Sequence, residues 1–175
     1  MTKDSWWRGD WMRLGVALVA SVYFTYYAST PTDWHFIDSV NLIIHEAGHW
    51  IFLPFGEFMN ILGGSLFQCL FPLIYIGYFI WKSDNFSASL LGFWFGQNLI
   101  NVSVYASDAL TMQLPLLGGD SVIHDWNYIL GALHQLQHSH QIGYGLYSSG
   151  VLIMLLAAVL AFITSQVSVD QPRPR

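Results

Sequence analysis

The stretch NLIIHEAGHWIF, residues 41 to 52, sets His45, Glu46 and His49 inside a segment that is otherwise apolar. It fits the H-E-x-x-H pattern. What surrounds it decides whether those three side chains lie in a soluble core or in a membrane-buried bundle.

The chain has 175 residues, of which 54% are hydrophobic and 10% charged, with eight Trp, nine Tyr and twelve Phe. Soluble domains carry roughly 25% charged residues, so this composition reads as a membrane protein. Its six Lys and Arg sit near the two ends and at Lys82, with none between Asn85 and Val169. A net charge of −5 without a basic patch excludes a nucleic-acid partner. The single cysteine, Cys69, lies in an apolar run and reads as a small buried hydrophobe.

A helix needs about 20 apolar residues to cross the hydrocarbon core. Residues 11–28, 61–81, 86–107 and 142–164 meet that measure. Residues 35–55 have the length but include Asp38, Asn41, His45, Glu46 and His49, so they form either a span with a polar face or a re-entrant element. Turn chemistry separates these segments at Ser29 to Asp33, Pro54 to Gly56, Lys82 to Asn85 and the loop from Asp108 to Asp120. Residues 125–141 are too polar and too short for a clear span and read as an amphipathic helix. The expected fold is all-α: residues 1–175 as one polytopic transmembrane helical bundle of five or six spans. Lys3, Arg8 and Arg13 before the first span favour a cytoplasmic N-terminus.

On a helix, positions four apart share a face, so His45 and His49 direct two imidazoles at one point. That spacing suits a single Zn²⁺, and Glu46 beside the pair can hold and deprotonate a water. In hydrocarbon each ionisable group costs at least ~2.5 to 3.5 kcal/mol, which favours ligation over an idle polar cluster. Asp38 and Asn41, seven and four residues before His45, are placed to accept from the imidazole N–H groups. Asn60, Gly64, Gln68 and Pro72 make a small and polar face on the next span, with Gln68 suited to substrate or to an interhelical hydrogen bond. Trp94, Asn98, Asn101, Tyr105 and Asp108 follow one helix seam. The three stripes are expected to face one another around a shared cavity.

A catalytic zinc usually takes three protein ligands. For the third, His124 ranks first because Asp125 has a structural role open to it as a helix N-cap; Asp125 ranks second and Asp108 third, with Asp120 readable as a turn residue. His134, His138 and His140 read as a polar face at the membrane interface.

HEAGH within an apolar helix, followed by further spans and a glycine-containing loop with acidic residues, resembles the intramembrane zinc metalloproteases of the site-2 protease class. That resemblance implies His45 and His49 as zinc ligands and Glu46 as the base. The family's L-D-G-type third ligand has no match in LLGGDSVIHDW, residues 116 to 126. The chain also looks like a small bacterial inner-membrane family with HEAGH, GGSLFQ, GQNLINVSVYASDA and HDW segments, whose resemblance implies no activity. The expected function is zinc-dependent hydrolysis of a membrane-embedded protein substrate at the bacterial inner membrane. The alternatives are a lipid amide or ester hydrolase and a non-enzymatic metal-binding or transport protein.

Overall fold

The computed structural model describes residues 10–114 and 124–166. Lys3, Arg8, Pro115, Gly118, Gly119, Asp120 and the C-terminal QPRPR lie outside the described residues. Among the described residues six α-helices run in the order α1 (Trp11–Ser29), α2 (Phe36–Phe52), α3 (Glu57–Trp81), α4 (Asn85–Ser107), α5 (Asp125–Ala132) and α6 (Ser139–Ser165), and 3₁₀ turns at Leu53–Phe55 and Leu136–His138 precede α3 and α6. No strand occurs among the described residues. The all-helical expectation holds. Two stretches, α3 and residues 136–165, are long and apolar enough to cross a membrane. Of the four clear spans that the sequence suggests, α3 and α6 meet that measure and α1 and α4 do not, α4 carrying buried Gln97, Asn98 and Ser103 within its apolar run; the fifth segment, 35–55, gives an α2 of 17 residues.

Local chemistry sets the helix ends. Asp10 caps α1, its Oδ1 accepting from the backbone N–H groups of Met12 at 2.9 Å and Arg13 at 3.2 Å. Asp84 caps α4 through Ser87 in the same way. Gly56, with φ of 95°, supplies the left-handed residue between the 3₁₀ turn and α3.

Residues 125–141 do not form one amphipathic helix. The helix stops at Ala132, and His134 adopts a φ of 56°. Gln135 N–H then closes back on the Leu130 carbonyl at 2.7 Å. This is a six-to-one helix-ending bond, and it satisfies a carbonyl that would otherwise be orphaned. Helix α6 therefore begins at Ser139, three residues before the expected start, and His134, His138 and His140 are all exposed around this turn.

Helix α4 is the spine. Gly92 lies against Ala157, Gly96 against Gly150 and Met154, and Gly143 against Ser103 and Ser107, an antiparallel register along α6. Phe71 of α3 meets Trp94 on another side of α4, with ring centroids 5.7 Å apart. Helix α1 adds Phe24, stacked on Phe93 at 5.4 Å, and Tyr147 of α6 donates to the Ala28 carbonyl at 2.8 Å. Helix α2 pairs with α3 as a hairpin: Gly48 touches Gly63 backbone to backbone, and the His45 ring lies flat over Gly64.

A methyl group on Gly150 would stand 2.5 Å from the Gly96 carbonyl oxygen, whereas one on Gly145 meets nothing within 4 Å. Gly150→Ala should therefore cost about 1–3 kcal/mol by overpacking, and Gly145→Ala should be neutral or stabilise by up to ~1 kcal/mol. Comparing the denaturation midpoints of the two variants checks this; equal midpoints would show that α4 and α6 do not pack through these glycines.

Candidate metal centre

His45, His49 and Asp125 each offer one ligating atom, and those atoms all lie within 4.8 Å of one another. The two histidines come from successive turns of α2, with ring centroids 4.8 Å apart. Asp125 enters from the first turn of α5. Its Oδ2 stands 2.9 Å from His45 Nε2 and 3.4 Å from His49 Nε2. Ligands held ~2.0–2.1 Å from one ion at tetrahedral angles stand about 3.3–3.4 Å apart, so small side-chain adjustments suffice. The group can hold a metal ion.

The far sides of the rings define their tautomers. His49 Nδ1 lies 2.8 Å from the Asn60 backbone carbonyl, which can only accept, so Nδ1 carries the proton. His45 Nδ1 lies 3.2 Å from Gln68 Oε1, a second acceptor. With Nδ1–H so placed, the Nε2 of each ring faces Asp125, where its N–H can donate to the carboxylate or, once that proton has left, its lone pair can serve an ion. Two Nε2 atoms and one carboxylate thus converge on one point, and a cation bound there would take the place of the Nε2 protons. Gly64 makes room for it: a Cβ there would stand 2.5 Å from His45 Nε2.

Helix α5 is docked so that Asp125 is delivered accurately. Asp125 N–H donates to the Tyr105 hydroxyl at 3.1 Å, Trp126 Nε1–H to Ser65 Oγ at 3.1 Å, and Asn127 Nδ2 to the Ala109 carbonyl at 2.8 Å. Burial pushes the Asp125 carboxyl up, but hydrogen bonds and charge from His45 and His49 outweigh it and hold the group below its ordinary value. Asp108 also ends below its ordinary value: burial acts upward and is outweighed by Thr111, the Gln113 and Leu114 amides and His124.

Of the candidates for the third ligand, Asp125 rather than His124 stands beside the histidine pair. His124 is the N-cap of α5, its Nδ1 accepting from Asn127 N–H at 3.2 Å. That leaves the proton on Nε2, which points to Asp108 Oδ2 at 3.4 Å. Both ring nitrogens are occupied away from the histidine pair. Asp125, for which the cap was expected, sits one position further on and is free to reach them. Asp108 also stays outside the group, bonded instead to Thr111, Gln113 and Leu114.

Asp38 and Asn41 do not touch the histidine rings either. Asp38 accepts from Tyr27, Gln97, Asn101 and His35 N–H, and Asn41 bonds Gln97 and Trp94. Gln68 makes the interhelical bond, reaching His45 and donating to Asn101 at 2.7 Å. Glu46 is exposed, on the rim of α2 beside the buried seam, and makes no hydrogen bond to a described residue. Gln97, fully buried at 0% exposure, is the polar residue that spacing arguments pass over, because it falls off the four-three seam. Its signal was its cost: an amide between Gly96 and Asn98 in an apolar run needs partners.

Comparison with known protein families, curated proteins and solved structures finds no match to this chain.

Wild-type protein should bind about one equivalent of divalent metal. Asp125→Ala and the His45→Ala/His49→Ala pair should lose it, while His124→Ala should retain it. Metal analysis of the four purified proteins decides; loss in His124→Ala with retention in Asp125→Ala would reverse the ligand assignment.

Proposed function

We propose that the chain is a zinc-dependent metallohydrolase embedded in a bacterial inner membrane, acting as a peptidase on a membrane-embedded or juxtamembrane substrate. The observation that carries this reading is the convergence of two Nε2 atoms and one carboxylate, with an exposed glutamate next to His45 in the chain. Membrane placement is supported by the inverted distribution of side chains. Asp38, Asn41, Gln68, Gln97 and Asn98 are buried, while Leu152, Leu155, Leu156, Val159 and Leu160 of α6 and Val16, Val19 and Val22 of α1 are exposed. An apolar exterior of this extent around a polar interior suits lipid rather than water. Helices α1 to α4 and α6 then make five spans, and α5 lies at the interface.

His45, His49 and Asp125 would hold the ion, and its neutral-N, carboxylate donor set fits zinc. A zinc ion at such a site supplies Lewis acidity toward a carbonyl and makes water a nucleophile near neutral pH. Glu46 would take a proton from water at the site and pass it to the leaving group. It is the exposed neighbour of His45 in the chain. Tyr105 and the α5 docking bonds keep the carboxylate in place. The close α2 and α3 backbones keep the rings in place.

The test uses vesicles containing the protein and a fluorescently quenched single-span peptide. Wild type should cleave it in a manner abolished by chelation and restored by zinc. Glu46→Gln should keep the metal and lose about 10²–10⁴-fold in rate. Cleavage indifferent to Glu46→Gln would overturn the catalytic assignment, release of an acyl chain from lipid instead would redirect the substrate to a lipid amide or ester, and loss of metal in Glu46→Gln would favour a metal-handling protein.

A further inference from the structure

The buried polar side chains of α2, α3 and α4 form two chains of hydrogen bonds that end on the same atom. One runs from the Trp94 indole N–H to Asn41 Oδ1 at 2.8 Å, from Asn41 Nδ2 to Gln97 Oε1 at 2.8 Å, and from Gln97 Nε2 to Asp38 Oδ1 at 3.0 Å. The other runs from His45 Nδ1 to Gln68 Oε1 at 3.2 Å, from Gln68 Nε2 to Asn101 Oδ1 at 2.7 Å, and from Asn101 Nδ2 to Asp38 Oδ1 at 3.1 Å. Tyr27 donates to the same oxygen at 2.8 Å, and His35 N–H donates to Oδ2 at 2.8 Å.

An amide side chain can face either way, so its direction must come from a neighbour that cannot turn. Trp94 can only donate, and a carboxylate can only accept. The first chain is anchored by one such group at each end, so its direction is determined. The second is anchored at Asp38 alone. Asn101 must turn its Nδ2 toward the carboxylate, which turns its Oδ1 toward Gln68; Gln68 must then donate there and present Oε1 to the ring. The direction set at Asp38 thus passes through two amides to the ring nitrogen of His45.

We propose that Asp38 is a positioning residue for the metal centre, holding His45 as the Nδ1–H tautomer through Asn101 and Gln68 so that Nε2 is left free for the ion. The proposal rests on the metal reading above. Asp38 never touches His45, and its carboxylate makes the polarity of the chain one-way. An asparagine at that position could donate as well as accept, so the whole chain could reverse. Gln68 would then donate to Nδ1, and the ring proton would move to Nε2, where it blocks coordination.

The experiment is long-range proton-nitrogen correlation of ¹⁵N-histidine-labelled protein, with and without zinc, beside a zinc titration. In wild type, His45 Nδ1 should be protonated in both states, with Nε2 bearing the metal when zinc is present. Asp38→Asn should show a population with Nδ1 deprotonated and bind zinc about 10- to 100-fold more weakly, the range expected when a ligand's supporting partner is lost. Adding Gln68→Glu puts an acceptor-only group directly on the ring and should restore the tautomer and most of the affinity in the Asp38→Asn background, which a general loss of packing would not allow. Gln68→Met, cutting the chain at its last link, gives the same readout if Asp38→Asn does not fold. Weakened zinc binding with Nδ1 still fully protonated, or no rescue by Gln68→Glu, overturns the proposal. Wild type that binds no zinc overturns the metal reading instead, and the metal-free Nδ1 signal of wild type against Asp38→Asn then decides the relay by itself.

Discussion

Backbone contact between α2 and α3 is the constraint from which the site follows. Gly48 and Gly63 meet with no side chain between them, and Gly64 leaves a slot one ring thick for His45. At that separation Asn60 and His49 exchange two bonds, the ring donating to the Asn60 carbonyl at 2.8 Å and Asn60 Nδ2 donating to the His49 carbonyl at 2.7 Å. Gln68 comes within reach of His45 by the same geometry. A hairpin held even one methyl group further apart would leave the rings without their far-side acceptors. Rotation of the rings would then be free and their protons unassigned.

The buried polar groups follow a single accounting rule. In an apolar interior each donor needs an acceptor. Asn41, Gln68, Gln97 and Asn101 answer one another across three helices, while Gln68 and the Asn60 carbonyl take up the Nδ1 side of His45 and His49 and leave each Nε2 toward Asp125. Asn98 is the exception within α4: its Nδ2 donates to the Trp94 carbonyl at 3.0 Å, and its buried Oδ1 has no partner among the described residues.

Much of this was legible in the sequence. The histidine pair, the small face through Gly64 and Gln68, and the seam through Trp94, Asn101 and Tyr105 all follow from helical spacing, and the all-helical fold follows from the apolar runs. The third member of the group was not legible, because its choice turns on a single residue of register at a helix start. His124 and Asp125 can each cap the helix, and only the docking of α5 through Tyr105, Ser65 and Ala109 decides which one stands beside the histidines. The link from Asp38 to His45 was hidden for a different reason. It runs through side chains on two other helices, and no pattern within α2 carries it. The break after Ala132 carries no turn signal in the sequence, because a histidine, rather than a glycine, takes the left-handed position.

The carboxylate of Asp125 comes from 80 positions along the chain from His45. An ion held by both is therefore a cross-link as well as a reagent, closing a loop that encloses all of α3 and α4. Closing a loop of that length costs the unfolded chain several kcal/mol of entropy in simple chain models, only slightly more than a much shorter one. With both ends tied to one ion, α5 would be fastened to the α2 and α3 hairpin by more than its own eight residues of contact. Without that tie, this short helix is held to the bundle by its bonds to Tyr105, Ser65 and Ala109 and by its own small buried face.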